Sequence, residues 1–218
     1  MKLIERYWEA IDDLFAKVRD TQTEAIEKAA DIVVDSIKKG GKIYLSDICH
    51  SIEMDSIYRG GGPIFYKKFD KEAGIECLKE NDVIFVSSVS GRTKRVVDLA
   101  YDCMQKGVKV IAFTSMAYAT KVDAVHESGK KLYEFVTLVL DNCAPAAEAM
   151  LEVEGIEARF GAASGIASDY IMWSITSCVV DKMLSLGMTP GILKSANFPG
   201  GSDYNKQIIE PNYEKYGY

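Results

Sequence analysis

The sequence predicts an α/β fold, a three-layer α/β/α sandwich on a mostly parallel sheet, preceded by two N-terminal helices. Three observations predict it. Short apolar runs, at 82–87 and 108–114 most clearly, alternate with longer segments of helical periodicity, the mark of βαβ units. Their central residues, Val83–Val86 and Val110–Phe113, are continuously apolar rather than alternating, as in strands covered on both faces. No repeat, low-complexity tract or linker divides the 218 residues. They read as one domain: an N-terminal helical extension at 1–40, an α/β/α core at 41–187 and an irregular C-terminal tail at 188–218.

Each element has its own signal. Leu3, Tyr7, Trp8, Ile11, Leu14, Phe15 and Val18 recur at steps of three and four, giving a helix over 3–19. Thr21 followed by Glu24 resembles a capping box. It opens a second helix, 21–38, which carries Ile26, Ala29, Ala30, Val33, Val34 and Ile37 and stops at Gly40-Gly41. A strand at 42–46 follows, then a helix at 49–58 that ends in Arg59-Gly60-Gly61-Gly62-Pro63. The remaining expectations are strands at 64–66, 82–87, 108–114 and 135–140, and helices at 70–79, 93–106 and 166–186. Gly107, and Gly187 with Pro190, supply the stops of the last two helices.

Apolar residues make up 48% and charged residues 27%, an ordinary globular composition. No apolar run approaches the roughly 20 residues of a transmembrane helix. The start, Met1-Lys2-Leu3-Ile4-Glu5-Arg6, lacks the uncharged core of a signal peptide. A cytoplasmic protein without a membrane partner is expected. The net charge is −6, and basic residues cluster only in pairs, Lys38-Lys39, Lys67-Lys68 and Lys130-Lys131. Such a chain is no nucleic-acid binder, since a duplex demands a basic stripe. The five cysteines are odd in number and form no C-x-x-C, which argues for reduced thiols. With two histidines, His50 and His126, and no H-E-x-x-H or paired-cysteine pattern, neither a metal nor a cofactor is expected.

In an open parallel sheet, ligands bind beyond the carboxyl ends of the strands, near the point where strand order reverses. The residues there are Ser46-Asp47-Ile48-Cys49-His50-Ser51, Ser87-Ser88-Val89-Ser90-Gly91-Arg92-Thr93, Thr114-Ser115 and Asp141-Asn142-Cys143. Hydroxyl groups beside loop N–H groups at a helix start make a neutral anion cradle. Equally, they can do no more than cap the helix. The 88–93 segment fits a cradle best, with Gly91 for a tight turn and Thr93 at the helix start. It is neither a P-loop nor a dinucleotide fingerprint.

Ser88-Val89-Ser90-Gly91-Arg92-Thr93, with Val97, Ala100, Gly107 and Val110-Ile111-Ala112-Phe113-Thr114-Ser115 after it, closely resembles the SIS (sugar isomerase) domain family. Further matching stretches are Tyr58-Arg59-Gly60-Gly61, His126-Glu127-Ser128-Gly129-Lys130-Lys131-Leu132, Leu140-Asp141-Asn142, and Ser195-Ala196-Asn197 with Gly200-Gly201 and Asn205. The resemblance spans about 40–206. It implies a flavodoxin-like sandwich, a sugar-phosphate ligand and a homodimer or homotetramer. It also implies that Ser88, Ser90 and Thr93 hold the phosphate, with Gly91 in the turn. The first loop departs from the family pattern of glycines followed by a serine: the chain has Ser46-Asp47-Ile48-Cys49-His50, with Cys49 at the serine position.

An aldose–ketose isomerase needs a base near a carbon-bound proton and a group that polarises the carbonyl. Several SIS isomerases place a glutamate on the helix after the first strand. The matching position is Asp55, and Glu53 stands two residues before it. The other reading of both is a solvated helix acid. Asp55 and Arg59 are four apart and can pair. If they do, Arg59 is the ligand's cation or a structural clamp, and Glu53 or Glu148 is the base. His50 is a proton shuttle or a packed side chain. Ser115 and Asn197 complete the candidate contacts, Asn197 from a tail rich in turn residues. His126 lies in a loop that is ordered by it, forms a subunit contact or takes part in catalysis. The functions in play are a sugar-phosphate isomerase, a non-catalytic sugar-phosphate sensor and a lyase acting on amino-sugar phosphates.

Overall fold

The computed structural model describes residues 1–46 and 52–217. The chain opens with α1, Leu3–Lys38, one unbroken helix of 36 residues where two were expected. Thr21 caps nothing. Its hydroxyl donates back to the Lys17 carbonyl at 2.7 Å, and Glu24 pairs with Lys28 instead of closing a box. The physical reason is register. Buried Leu14, Val18, Gln22 and Ile26 follow one another at steps of four, so the packed stripe runs straight through the supposed break.

Five parallel strands follow: β1 Ile43–Leu45, β2 Tyr66–Lys68, β3 Val83–Ser87, β4 Lys109–Thr114 and β5 Leu138–Asp141. Their order is β2-β1-β3-β4-β5. The chain steps outward from β1 to β2, then returns to β3 on the other side of β1. Strand order therefore reverses between β1 and β3, which opens a crevice at their carboxyl ends.

The pleat sorts the core into two layers. Val83, Phe85, Ile111 and Phe113 face α1 and α5, Ser164–Ser185, while Ile84, Val86, Val110 and Ala112 face α3, Lys94–Gln105. Two short helices rim the carboxyl ends: α2, Ile52–Ser56, after β1, and α4, Met116–Ala119, after β4. The three-layer fold class expected from the sequence is the one observed. The expected helix at 70–79 shrinks to a 3-10 turn, Gly74–Cys77.

Two elements lie where none was foreseen. An antiparallel hairpin, β6 Ala149–Val153 and β7 Ile156–Ala162, supports the N-terminal third of α1 through a Tyr7–Phe160 edge contact and an Arg6 bond to the Glu152 carbonyl. Most of β7 is exposed, so it carries no apolar alternation to read. The tail expected to be irregular contains α6, Gly201–Tyr216, of which only Gly201 and Asn212 are buried. Among the described residues, no helix is long and apolar enough to cross a membrane.

Candidate functional site

The 88–93 turn leaves β3 at the switch point. Ser88 N–H donates to the Phe113 carbonyl of β4, and Gly91 N–H closes the turn on the Ser88 carbonyl at 2.9 Å. Thr114, at the end of β4, donates its hydroxyl to that same Ser88 carbonyl at 2.8 Å. Gly91 sits at φ +67, and a Cβ there would lie 3.1 Å from the Ala119 Cβ, so the position calls for glycine.

Inside the turn, the Ser88 hydroxyl donates to the Thr93 hydroxyl at 2.9 Å and accepts the Thr93 N–H at 3.3 Å. Thr93 is the residue before α3, yet its side chain accepts nothing from that helix. The bare capping reading therefore does not describe it. Of the first-turn N–H groups of α3, that of Val96 is bonded to the Thr93 carbonyl at 2.9 Å, while among the described residues that of Lys94 has no backbone partner. Among the described residues, the Ser90 side chain and the backbone N–H groups of Ser90 and Arg92 also have no partner. These donors belong to the turn that leads into α3, and a helix N-terminus favours negative charge.

The neighbouring strand ends are structural. Ser115 has no exposed surface. It donates to the Ala144 carbonyl at 2.7 Å and accepts Tyr118 N–H as the cap of α4. Its hydroxyl thus joins the end of β4 to the loop after β5 and to α4. Asn142, also fully buried, bonds Ser168 of α5 and the Ala144 N–H. Asp141 holds the N–H groups of Met116 and Cys143. Burial raises the Cys143 thiol, which suits packing rather than nucleophilic chemistry.

The three candidate carboxylates have different fates. Asp55 forms an ion pair with Arg59 and accepts a hydrogen bond from the Trp173 indole at 3.1 Å. Both Asp55 oxygens are engaged, and Arg59 is a clamp on its own helix end. Near them lies Asp169 of α5, whose carboxyl is pushed up by burial more than the Arg59 charge pulls it down. Glu148 sits in left-handed backbone at φ 82 and gives one oxygen to both the N–H and the hydroxyl of Ser164, at the start of α5. Glu53 is different. It is 8% exposed and meets a flexible partner, the Lys68 ammonium, at 2.8 Å.

Lys68 is the residue that sequence reasoning missed: it ends β2, in register with Leu45 of β1, two residues beyond the strand expected at 64–66. Asn197 is exposed and lines a surface cleft of about 300 Å³ with Ala196, Phe198 and Pro199. It follows Ser195, against whose backbone Gly60 packs so closely that a Cβ would fall 2.8 Å from the Ser195 nitrogen. The segment leading to Asn197 thus packs on the loop after α2, where Gly61 N–H also donates to the Leu193 carbonyl. Cys49 and His50, with Asp47, lie outside the described residues.

The SIS domain family matches residues 6–64 and 62–115 of the chain. A UPF0309 protein of Shouchella clausii is 32% identical, with 96% of each chain covered. Two solved structures share the fold at low identity. A phosphoheptose isomerase from Francisella tularensis aligns with a TM-score of 0.56 and 16% identity, over 84% of this chain and 100% of its own. The Vibrio vulnificus NanR protein complexed with ManNAc-6P aligns with a TM-score of 0.56 and 12% identity, over 98% of this chain and 70% of its own.

Proposed function

Because this chain belongs to the SIS-domain family and, within it, to the UPF0309 proteins, we propose that it binds a sugar phosphate and isomerises it between aldose and ketose. The observation that carries the reading is the Glu53–Lys68 pair at 2.8 Å on the same sheet rim as the 88–93 turn. Adjacent strands are about 4.8 Å apart, so the end of β2 and the turn after β3 are separated by about 10 Å across β1. An extended sugar phosphate of about five or six carbons, at about 1.5 Å per bond, covers such a span.

The phosphate binds in the turn, on the Ser90 and Thr93 hydroxyls and the N–H groups of Ser90 and Arg92, with the Ser88 hydroxyl holding Thr93 in place. The open-chain carbonyl end then lies at Glu53 and Lys68. The carbonyl oxygen takes the place of the carboxylate at the Lys68 ammonium, which polarises it. Glu53 removes the proton from the adjacent carbon and returns it to the former carbonyl carbon, while the hydroxyl proton passes to the other oxygen. Nothing is oxidised overall, and the step draws on no cofactor. Asp55 and Glu148, bound to fixed partners, hold the frame.

The same reading treats 1–218 as one SIS-type unit acting in the cytoplasm on a small molecule, without nucleic acid or membrane. It assembles as a homodimer. Leu3, Ile4 and Trp8 of α1, with Ile156 and Phe160 of β7, are exposed apolar groups on the start of α1 and the hairpin packed against it.

A thermal-shift screen against pentose and hexose phosphates, followed by NMR of the best hit in D2O, tests the function. Stabilisation with deuterium appearing beside the carbonyl supports an isomerase. Stabilisation without exchange supports a sensor. No response to any sugar phosphate rejects both.

A further inference from the structure

We propose that the loop between α4 and β5 is a strap on the phosphate turn, and that His126 is the positioning residue which tightens it. The inference rests on the 88–93 turn being the phosphate site. The strap touches that turn directly. Leu132, fully buried in the core beneath α3, donates its N–H to the Gly91 carbonyl at 2.8 Å. Tyr133 follows it, and its ring stands 3.9 Å from where a Gly91 Cβ would be. Gly91 is thereby held from behind by the loop and by Ala119, while its N–H keeps the turn closed.

The strap has two further fixed points. The Lys131 ammonium donates to the Ala119 and Val122 carbonyls at 2.6 and 3.0 Å, which ties the loop to the end of α4. The His126 side chain, only 8% exposed, places Nε2 3.1 Å from the Asp98 Oδ1 of α3. Its Nδ1 accepts the Ser128 N–H and meets the Ser128 hydroxyl at 2.7 Å. That arrangement makes Nε2 the donor toward Asp98 and folds the loop around the ring. Phe135 and Tyr101 wall the ring in.

Asp98 lies one turn into the helix that starts directly after the phosphate turn, and Lys94 of that first turn holds its carboxylate as well. A single loop therefore joins both halves of the anion cradle. Leu132 fixes the turn, and His126 fixes the helix that follows. Neither His126 nor Asp98 needs to touch the ligand. What they set is the angle between the Gly91 turn and the start of α3, on which the convergence of the donors depends.

The test uses the full chain with inorganic phosphate and a hexose 6-phosphate as probes, followed through the Gly91 and Thr93 amide resonances. His126→Ala is expected to weaken both probes about tenfold, the size seen when an outer group that orients a ligand-binding one is lost. His126→Gln keeps a side-chain N–H for Asp98 and is expected to recover most of that loss. A merely structural role would lower thermal stability without a change in affinity that the glutamine restores. Wild-type binding matched by equal binding in His126→Ala overturns the strap and leaves the phosphate site standing. Failure of the wild type to bind either probe overturns both.

Discussion

At the scale of residues, the rim of the sheet sorts its charged groups by how firmly each is held. Asp55 is fixed by a guanidinium and an indole, Glu148 by a helix start, and Glu53 by one long lysine. Only the last can exchange its partner for a ligand without dismantling packed structure. Asp169 shows the energetic side of the same rim. Its Oδ1 is buried with no hydrogen-bond partner, and burial raises its carboxyl above the ordinary range near 4. A raised carboxyl favours folding while protonated, so its contribution is fully present below the unfolded value and is lost as pH rises through the folded one. Asp169→Asn should therefore gain urea resistance relative to wild type as pH goes from about 4 to 7, with the two converging in acid. A difference that grows toward low pH would contradict this account of the site.

At the scale of elements, the strands and the helices that pack on them were legible because burial writes a period into the sequence. The apolar runs of β3 and β4 and the stripe of α3 lie within a residue or two of their expected bounds. The hairpin was not legible, since an exposed strand has no buried face to encode. The supposed break in α1 came from reading Thr21 and Glu24 as a local signal, whereas the stripe from Leu14 to Ile26 overrides it. Exposed Thr21 in mid-helix should tolerate alanine, with unfolding free energy changed by less than about 0.5 kcal/mol. A true cap would lose about 1 kcal/mol, and denaturant titration of Thr21→Ala separates the two. The turn at 88–93 was readable from strand ends and glycine, but the role of Lys68 was not. Its partner Glu53 comes from α2, and their meeting across the fold is something no spacing rule in the sequence expresses.

At the scale of the whole molecule, α1 is about 54 Å long, at 1.5 Å per residue, and its buried residues begin only at Leu14. Its first turns and β7 leave Trp8 58% and Phe160 48% exposed. In the proposed homodimer this arm meets a second copy. Light scattering at micromolar concentration should then give twice the chain mass, and Trp8→Asp should shift it to the monomer without loss of helical signal. A wild-type monomer would reject the assembly. The 88–93 turn and the Glu53–Lys68 pair both lie at carboxyl ends of the parallel sheet, and in the proposed function binding and proton transfer share that rim.

That sharing is tested most directly by deuterium exchange in D2O on a bound sugar phosphate, with wild type, Glu53→Gln and Asp55→Asn compared at saturating ligand. The account predicts exchange beside the carbonyl in wild type and in Asp55→Asn, and its loss in Glu53→Gln with binding retained. Exchange that survives in Glu53→Gln, or that vanishes only in Asp55→Asn, would contradict it.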